Sequence, residues 1–375
     1  MPTLPVGQLQ SLITTIFERA GAPPSHARIV ADHLLEANLL GHDSHGVMRV
    51  AQYCNAIIEN ELLPDARPRL LRESLAGAVF DGCRGFGQVA ATEAMNAAID
   101  KARRAGVGAV TVRNCYHSGR LASYTQQAAA VGMIGIVMVN AGGGGQSVVP
   151  FGGRERRIAT NPFSIAAPSD GEFPIVLDVA TSMAPEGKIR DHHQRGAKLP
   201  DGWIVDADGC PSNDPSDFYG PPAGAILPLG GSAGYKGFGM ALMIDIVAGA
   251  LSGAGCCRAE KVPARDGILL MAIDVEQFVD PEAYFEQVAE LVAHVKSCPP
   301  APGFDEIFVP GEIEFREAQR RRLSGVAVCS QVWNDLQALA DRLNMLRPTD
   351  SGSNGAPPKR HAFSGDAVPT DVAAS

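Results

Sequence analysis

The chain has 375 residues, of which 45% are hydrophobic and 19% are charged, and its formal net charge is -9. A chain of this length can bury a large core and favours two or three structural lobes over one compact domain. The charge is spread without an acidic or basic block, so we expect no nucleic acid partner and no membrane partner, and small-molecule chemistry fits better.

The sequence gives no sign of export or membrane insertion. The first 21 residues lack a basic stretch followed by a continuous apolar core, and no apolar run reaches the length of a bilayer-spanning helix. The eight cysteines form no CxxC pair and have no regular spacing, which is typical of reduced thiols. We therefore predict a cytoplasmic protein.

The first third of the sequence has helical periodicity. Apolar residues recur at helical spacing over residues 6–21 and again over residues 23–41. Ser25 is the predicted N-cap of the second helix, and Gly41 is predicted to end it. A third helix is predicted to follow Ser44.

The middle of the chain alternates between helix and strand patterns. In order it contains a helix in "ATEAMNAAIDKARRAG", a strand in "GAVTVRN", a helix in "LASYTQQAAAVG" and a strand in "MIGIVMVN". This succession indicates an α/β unit. Further strands are predicted at "FSIAAPS", "PIVLDVAT" and "GILLMAIDV", and residues 197–224, which are rich in Pro, Gly and Asp, are predicted to form an ordered surface excursion.

Three more helices are predicted towards the end of the chain. The segment "FGMALMIDIVAGALSG" is apolar nearly all round and is therefore expected to be buried. The segment "DPEAYFEQVAELVAHVKS" has Asp280 as its predicted cap, and "CSQVWNDLQALADRLNM" is the last predicted helix. The composition of residues 347–375 predicts a disordered tail.

The stretch "GHDSHGVMRVAQY" contains the first candidate site. Ser44 is the predicted N-cap of a helix that runs from His45 to Asn60. On that helix His45, Arg49 and Tyr53 share one face, at spacings i, i+4 and i+8. Arginine can bind a carboxylate through two parallel hydrogen bonds, and histidine can exchange a proton near neutral pH. The alternative is a capped surface helix with an incidental histidine.

The stretch "VRNCYHSGRLASY", residues 112–124, contains the second candidate site. It links a predicted strand to a predicted helix through a turn that holds Asn114, His117, Ser118 and Arg120. Ligands of α/β sheets tend to lie where strands end and helices begin, and the free N–H groups at a helix start suit an anion such as a pyrophosphate. The alternative is a polar loop with one solvated histidine.

Two Gly-rich segments do not match the standard nucleotide motifs. "NAGGGGQSVVPFGG" follows a strand, but no helix follows it and no acidic residue lies at the usual distance, so it indicates a flexible loop and not a Rossmann fingerprint. "GGSAGYKGFG" lacks the GK[ST] of a P-loop, although its Lys236 could hold a phosphate at a helix start. The alternative for Lys236 is a surface position.

No metal site and no serine hydrolase is predicted. His42 and His45 lack the glutamate of an HExxH motif, and the neighbouring His192 and His193 cannot easily share one ion. The sequence also has no GxSxG elbow.

Eight stretches, taken in order, resemble the type-2 malate/L-lactate dehydrogenase family, whose relatives include ureidoglycolate, sulfolactate and diketogulonate oxidoreductases and cyclic imino acid reductases. They are "GHDSHGVMRVAQY", "VRNCYHSGRLASY", "PFGG", "IATNPFSIAAP", "VLDVATSMAPEGKI", "LPDGWIVDADGCPSNDP", "LPLGGSAGYKGFGMALM" and "VPGEIEFR". The resemblance runs from about residue 5 to residue 345 and leaves only the tail uncovered.

The resemblance implies an α/β fold whose nicotinamide-binding domain is not a Rossmann domain, with a helical second lobe built from N- and C-terminal segments. The expected division is 1–75 and 281–346 for the two parts of the helical lobe, 76–280 for the nicotinamide-binding domain and 347–375 for the tail. The resemblance further implies NAD or NADP as cofactor, and a homodimer with nicotinamide sites near the subunit interface.

The resemblance also implies roles for individual residues. Ser44 and His45 match a pair beside the substrate, and His117 matches a histidine described in some relatives as the acid or base. Lys188 matches a lysine that is usual in hydroxy-acid members, where imino acid reductases carry an aspartate. Substrate contacts are expected at Arg49 and Thr160 and, from the helix face, at Tyr53. Cofactor contacts are expected at Arg120, Leu121, Ala122, Ser123, Tyr124, Asp178, Val179, Ala180, Lys236, Pro310, Gly311 and Glu312.

The predicted function is transfer of a hydride between a nicotinamide and C2 of a small 2-hydroxy or 2-oxo acid. Hydride leaves C2 only as the hydroxyl loses its proton, so a base is required; His45 is preferred over His117 because it shares a helix face with Arg49. Arg49 would hold the carboxylate, Ser44 could orient an imidazole, and Lys188 could polarise the carbonyl oxygen in the reverse reaction. The nearest alternative is a cyclic imino acid reductase, and a nucleotide-binding protein that has lost catalysis is a more distant one.

Overall fold

The computed structural model describes residues 2–260 and 262–343, without the side chain of Gln194, and has a mixed α/β fold. The predicted disordered tail lies outside the described residues. The helices are α1 (Val6–Arg19), α2 (Pro24–Leu39), α3 (Arg49–Ile58), α4 (Gly87–Ala105), α5 (Ala122–Ala129), α6 (Glu186–Arg195), α7 (Pro215–Tyr219), α8 (Gly234–Ile244), α9 (Pro281–Lys296), α10 (Glu312–Ser324) and α11 (Ser330–Arg342). The strands are β1 (Thr3–Leu4), β2 (Arg69–Glu73), β3 (Gly77–Asp81), β4 (Val107–Cys115), β5 (Met133–Asn140), β6 (Phe163–Ala167), β7 (Ile175–Val179), β8 (Ile204–Val205), β9 (Pro211–Ser212), β10 (Ala225–Ile226), β11 (Asp266–Asp274) and β12 (Val326–Ala327).

A seven-stranded sheet organises the middle of the chain. Its strand order is β2-β3-β4-β11-β5-β6-β7, and only β3 and β4 run parallel to each other. The late strand β11 lies in the centre between β4 and β5, where its apolar side chains are covered by α4. The predicted α/β succession and the strands β4 to β7 and β11 are confirmed, whereas β2, β3 and α10 were not predicted.

A second hydrophobic core joins the two ends of the chain. Leu9, Phe17 and Leu34 of α1 and α2 are fully or almost fully buried in one cluster with Leu336 and Leu339 of α11. The short strands β1 and β12 pair antiparallel beside this cluster. The N-terminal helices and α11 therefore share one core, although about 290 residues of chain separate α2 from α11.

The predicted surface excursion forms a small sheet of its own. Strands β8, β9 and β10 pair antiparallel in the order β10-β8-β9. Buried Ile204, Phe218 and Ile226 form its core together with Ile189 of α6. The small sheet therefore anchors α6 by apolar contact.

The structure corrects two predicted helix caps and confirms two other helix-end residues. Helix α2 begins at Pro24 after Pro23, so Ser25 is not its cap; proline suits a first helical position because it lacks the N–H that would remain unpaired there. Ser44 is also not a cap, because α3 begins only at Arg49. Gly41, with φ of 84°, follows the end of α2 as predicted, and Asp280 accepts hydrogen bonds from the first turn of α9.

The prediction that the apolar helix α8 is buried is wrong for this single chain. Its side chains Tyr235, Met240, Leu242 and Met243 are between 42% and 56% exposed. No element within the described ranges covers this face. An apolar helix surface of this kind is typical of contact with another molecule.

The search for membrane spans was limited to the described residues. There, no helix combines the length and the apolar character that crossing a membrane requires.

Candidate active site

The two sequence-predicted sites form one site in the structure. His45 lies in a 3-10 turn, Asp43–His45, and His117 lies in the loop after β4. Their imidazole rings stack with centroids 5.7 Å apart and an interplanar angle of 22°. His45 is not on α3, because the helix begins four residues later, so the predicted shared helix face is replaced by a turn that leads into the helix.

Short hydrogen bonds tie the histidines to their neighbours. Ser44 Oγ lies 3.0 Å from His45 Nδ1, and Arg49 Nε donates to the Ser44 carbonyl at 2.7 Å. Tyr53 Oη lies 2.7 Å from His117 Nδ1, and the Tyr53 side chain is completely buried. Ser44 therefore supports His45 while Tyr53 supports His117.

Burial and positive charge keep these imidazoles neutral. Burial, together with the smaller effect of the Arg49 charge, lowers the pKa of His45 to about 3. The pKa of His117 is well below its usual value for the same two reasons, with burial the larger. Each neutral imidazole has one nitrogen that accepts a hydrogen bond and one N–H that donates.

Helix α6 forms another side of this site. A Cβ built on Gly187 would lie 3.3 Å from the Ser44 Cβ, 3.8 Å from Arg49 Nη2 and 3.9 Å from Arg190 Nη2. The guanidinium groups of Arg49 and Arg190 thus approach the same point beside Ser44. The ammonium group of Lys188 has no hydrogen bond or ion pair with any described residue, and its charge contributes to a lowered pKa of His42.

A cleft of about 180 Å³ lies where several predicted cofactor stretches meet. Its lining includes Arg120, Asp178, Gly311 and Phe173. Asp178 accepts a hydrogen bond from the Ala122 N–H at 2.8 Å, which joins the start of α5 to the end of β7. One residue of each of three predicted cofactor stretches, namely Arg120, Asp178 and Gly311, therefore lines the same cavity.

The cleft is lined by charged groups of both signs, which are Arg120, Arg322, Glu36, Glu172, Asp178 and Glu314. Arg120 is 5% exposed, and its Nε is buried without a hydrogen-bond partner. Its other nitrogens bind Ser123 and Gln126, which hold the guanidinium in place. An unpaired guanidinium nitrogen next to a cavity is a site for a phosphate oxygen.

Other predicted site residues lie elsewhere. Lys236 is on the exposed face of α8 and does not line the cleft. Glu312 is almost buried and binds Lys296 and Arg316, so its carboxylate is already paired. Thr160 accepts two hydrogen bonds from Thr181 through its carbonyl, and no hydrogen bond joins its side chain to the histidines.

The cofactor stretch 120–124 also contributes to the protein core. Leu121 and Tyr124 are at most 2% exposed, and the Tyr124 hydroxyl donates to the Ser118 carbonyl. His33 stacks on the Tyr124 ring and accepts the Arg120 N–H through its Nε2 at 2.9 Å. This segment therefore has a fixed backbone before any ligand binds.

Several residues that shape the site carried no signal in the sequence. Arg190 and Gln88 lay outside the predicted helices, and His33 lay in a predicted helix without being singled out as a site residue. Asp266 immediately precedes the predicted strand "GILLMAIDV", and its carboxylate accepts hydrogen bonds from the Ser118 backbone N–H at 2.8 Å and from the Ser118 hydroxyl at 2.7 Å. Long-range contacts alone bring these residues to the site.

Comparison with known proteins decides the family. The sequence model of the malate/L-lactate dehydrogenase family matches residues 4–337. The chain belongs to this family. The malate dehydrogenase of Pyrococcus abyssi is 35% identical to the chain over 350 residues, which cover 91% of the chain and 95% of that protein.

Solved structures agree with this assignment. The malate dehydrogenase of Entamoeba histolytica has a TM-score of 0.88 at 30% identity, covering 92% of this dehydrogenase and 99% of that chain. The delta1-piperideine-2-carboxylate reductase of Pseudomonas syringae has a TM-score of 0.79 at 29% identity, covering 91% and 100%. As predicted from its sequence, the chain is a 2-hydroxy acid dehydrogenase that uses a nicotinamide cofactor.

We predict that Asp266→Asn gains stability relative to the natural protein as the pH rises from about 4 to about 7. Burial raises the pKa of Asp266 to about 6 from 3.8, although the Ser118 hydrogen bonds lower it. The folded state thus binds this proton more tightly than the unfolded state. The stability that the bound proton contributes is fully present below the unfolded-state pKa of Asp266 and is lost as the pH rises through its folded-state pKa. Asparagine has no such titration.

Urea unfolding of both proteins at the two ends of this range measures the effect. Asp100→Asn, on an exposed face of α4, corrects for the loss of one carboxylate. A difference in free energy of unfolding between Asp266→Asn and the natural protein that does not change with pH would contradict the prediction.

Proposed function

We propose that His45, His117 and Arg49 carry out proton exchange and carboxylate binding on a 2-hydroxy or 2-oxo acid, beside a nicotinamide nucleotide held in the Arg120 cleft. The observation that carries this proposal is the stacking of the two neutral imidazoles next to the Arg49 guanidinium. A proton acceptor and a carboxylate-binding group at one place are what oxidation of a 2-hydroxy acid requires.

His45 takes the hydroxyl proton in the direction of oxidation. Arg49 holds the substrate carboxylate through Nη2, because its Nε and Nη1 already bind the Ser44 carbonyl and Gln52. The positive charge of Arg49 helps to lower the pKa of His45, so a carboxylate bound to Arg49 offsets that charge and makes His45 a stronger base. The nicotinamide supplies the hydride acceptor when bound.

The residues around the cleft would hold the cofactor by its phosphates. Arg120 offers its unpaired Nε, and the backbone of residues 120–122 is fixed by His33 and Asp178. Gly311 lines the same cavity. No hydrogen bond of the described structure supports the substrate contact expected at Thr160 or the cofactor contact expected at Lys236. We propose that this nucleotide site is not of the Rossmann type, since its sheet has one parallel pair.

We further propose that the substrate carries a second acidic group, bound by Arg190. Arg190 Nε is buried without a partner, and its nearest anion, Glu186, is 3.7 Å away from Nη2. Arg190 and Arg49 approach the same point, and the charge of Arg190 helps to lower the pKa of Arg49, after burial. An anionic group between them would relieve that repulsion. Lys188, without a salt-bridge partner, is left to polarise the C2 oxygen.

We propose that the chain forms a homodimer through α8. Helix α8 continues as a π-helix over Asp245–Ala250. Tyr235, Leu242 and Ile246 are exposed at spacings that place them on one side of these two helices, and the exposed Phe151 packs edge-on against Tyr235. A second copy is the simplest cover for such a surface in this family. We also propose that the chain divides at residues 75 and 280 into a helical lobe and a nicotinamide-binding domain. We propose a cytoplasmic location for the protein.

The alternative is reduction of a cyclic imino acid, which one solved relative carries out by its name. Lys188 favours the hydroxy acid, because an ammonium group can donate to a C2 oxygen but repels the cationic nitrogen of a protonated imine.

We predict that NADH or NADPH is oxidised with a 2-oxo acid and not with a cyclic imine. Nucleotide absorbance is followed with both nucleotides, a series of 2-oxo acids and one cyclic imino acid. His45→Gln should lower kcat by about 100-fold or more. Arg49→Lys should raise the KM for the acid by about 10-fold, because a lysine ammonium cannot bind the Ser44 carbonyl and Gln52 and still present a fixed donor to the carboxylate. Arg103→Lys, on an exposed face of α4, is the control. Turnover of the imine alone would overturn the proposed substrate class, and unchanged kinetics in both variants would overturn the residue roles.

We predict that Arg190→Gln raises the KM for a 2-oxo dicarboxylate about 10-fold but leaves the KM for pyruvate unchanged, because only the dicarboxylate has a second anion to lose a charged partner. Steady-state kinetics with the two acids measure this. Arg195→Gln, on the same helix and 71% exposed, should change neither value. An equal change with both acids would contradict a second acid-binding residue.

We predict a dimer in solution by size-exclusion chromatography with light scattering, and a monomer for Leu242→Glu. A buried carboxylate at an apolar contact destabilises the dimer, whereas an exposed side chain contributes little to the fold of the single chain. Leu75→Glu, at a residue that is 70% exposed and far from α8 in the sequence, is the control and should remain dimeric. A monomeric natural protein would contradict the prediction.

A further inference from the structure

Three side chains form a hydrogen-bonded row behind the active-site histidine. Gln88 Nε2 lies 2.8 Å from Tyr53 Oη, and Tyr53 Oη lies 2.7 Å from His117 Nδ1. Gln88 and Tyr53 have no exposed surface, so both hydrogen bonds lie in the protein interior. Gln88 is in the first turn of α4 and belongs neither to the substrate site nor to the cofactor cleft described above.

The number of protons in this row determines the direction of each hydrogen bond. Gln88 Nε2 can only donate, so the Tyr53 oxygen accepts there. The single Tyr53 hydroxyl hydrogen then has His117 Nδ1 as its acceptor, and no other acceptor lies within hydrogen-bond distance in the described structure. His117 Nδ1 is therefore unprotonated, and the proton of the neutral ring is on Nε2.

The reversed Gln88 amide fits less well. Gln88 Oε1 is buried without a partner in the observed orientation. One amide hydrogen is unpaired as well, because Tyr53 is the one acceptor that the described structure gives Nε2. Exchanging the two amide atoms would satisfy the oxygen but leave both hydrogens of the NH2 group without an acceptor. Unpaired buried N–H groups are rarer than carbonyl oxygens that lack a partner, so the observed orientation costs less.

We propose that Gln88 is a positioning residue that acts through Tyr53 to hold His117 in the tautomer with its proton on Nε2. This proposal rests on the proposed function for its catalytic meaning. His117 Nε2 has no hydrogen-bond partner in the described part of the chain, and the His45 ring lies against its own. In this tautomer His117 donates a hydrogen bond to the C2 oxygen of the substrate, while His45 exchanges the proton.

The surroundings oppose any other proton arrangement. A charged His117 would need Tyr53 to accept from Nδ1 as well as from Gln88, which leaves the Tyr53 hydrogen without an acceptor. Burial keeps the pKa of His117 well below its usual value, and burial also raises the pKa of Tyr53, so neither an imidazolium nor a phenolate is favoured. Each of the two histidines then has a separate task.

The Gln88→Glu variant tests the proposal because a carboxylate accepts where the amide donated. The Tyr53 hydroxyl should then turn towards the new carboxylate, and its oxygen should accept from His117 Nδ1–H, so the tautomer is reversed. We expect kcat with the 2-oxo acid to fall by about 100-fold while the KM stays within about threefold, because the acid-binding arginines are unchanged. Gln127→Glu, on α5 where the side chain contacts Thr92 and Asn96 of α4, is the control for an added carboxylate and should keep the natural kcat.

The ring tautomer is read directly by 15N NMR of protein labelled at histidine, with the His117 signals assigned from a His117→Asn variant. The natural protein should show an unprotonated Nδ1 and a protonated Nε2 at His117, and Gln88→Glu should show the reverse. Should Gln88→Glu fail to fold, Tyr53→Phe removes the same link with almost no change in volume and should yield a mixture of the two tautomers.

A protonated Nδ1 in the natural protein would overturn the proposal, and so would a Tyr53→Phe spectrum identical to the natural one or a Gln88→Glu variant with natural kcat. These readouts are separate from the proposed function. If the natural protein turned over no 2-oxo acid, the proposed function would fail, while the spectra would still decide the role of Gln88.

Discussion

The Asn38 side chain holds the turn on which the active site depends. Its Oδ1 accepts the Val47 N–H at 2.7 Å, and its amide nitrogen donates to Asp43. Gly46 is required at this crossing, because a Cβ there would lie 2.2 Å from Asn38 Oδ1. Arg321 of α10 binds both the Asn38 carbonyl and the Asp43 carboxylate. The position of His45 is thus fixed by α2 and by a helix from near the C-terminal end, and no helix cap is needed.

This arrangement explains why the chain joins its two ends in one core. The turn between α2 and α3 carries Ser44 and His45, while α10 supplies the arginine that fixes it. The apolar cluster of α1, α2, α3 and α11 holds these segments together. Loss of that packing would therefore disturb the site without touching a residue that meets the substrate.

Positive charge and neutral imidazoles together suit the site to anions. Arg49, Arg120 and Arg190 each have a guanidinium nitrogen that no carboxylate holds closely, and Lys188 has no salt bridge in the described structure. Burial keeps the nearby histidines uncharged, so they add hydrogen-bonding capacity and no further repulsion. Arg49 and Arg190 approach the same point, and an anion bound between them would offset their repulsion.

The local patterns of the sequence predicted much of the fold but not its assembly. Alternating apolar residues located β4 to β7 and β11, and helical spacing located α1 to α5, α9 and α11. The cap at Asp280 followed from local chemistry, whereas Ser44 looked like a cap and is not one, because Asn38 satisfies the turn from another helix. The prediction that α8 is buried was wrong because an apolar pattern indicates which side chains avoid water but does not indicate what covers them.

The sequence by itself determined which residue types and motifs are present, and these were enough to recognise the family and to select Ser44, His45, Arg49, His117 and Arg120. Hydrogen bonding and periodicity within a few residues carry that information. Only the tertiary structure decided that the two histidines stack, that Gln88 stands behind Tyr53 and that Arg190 approaches Arg49. These contacts join residues 35 to 141 positions apart, and such contacts depend on the packing of whole helices, which no local pattern encodes.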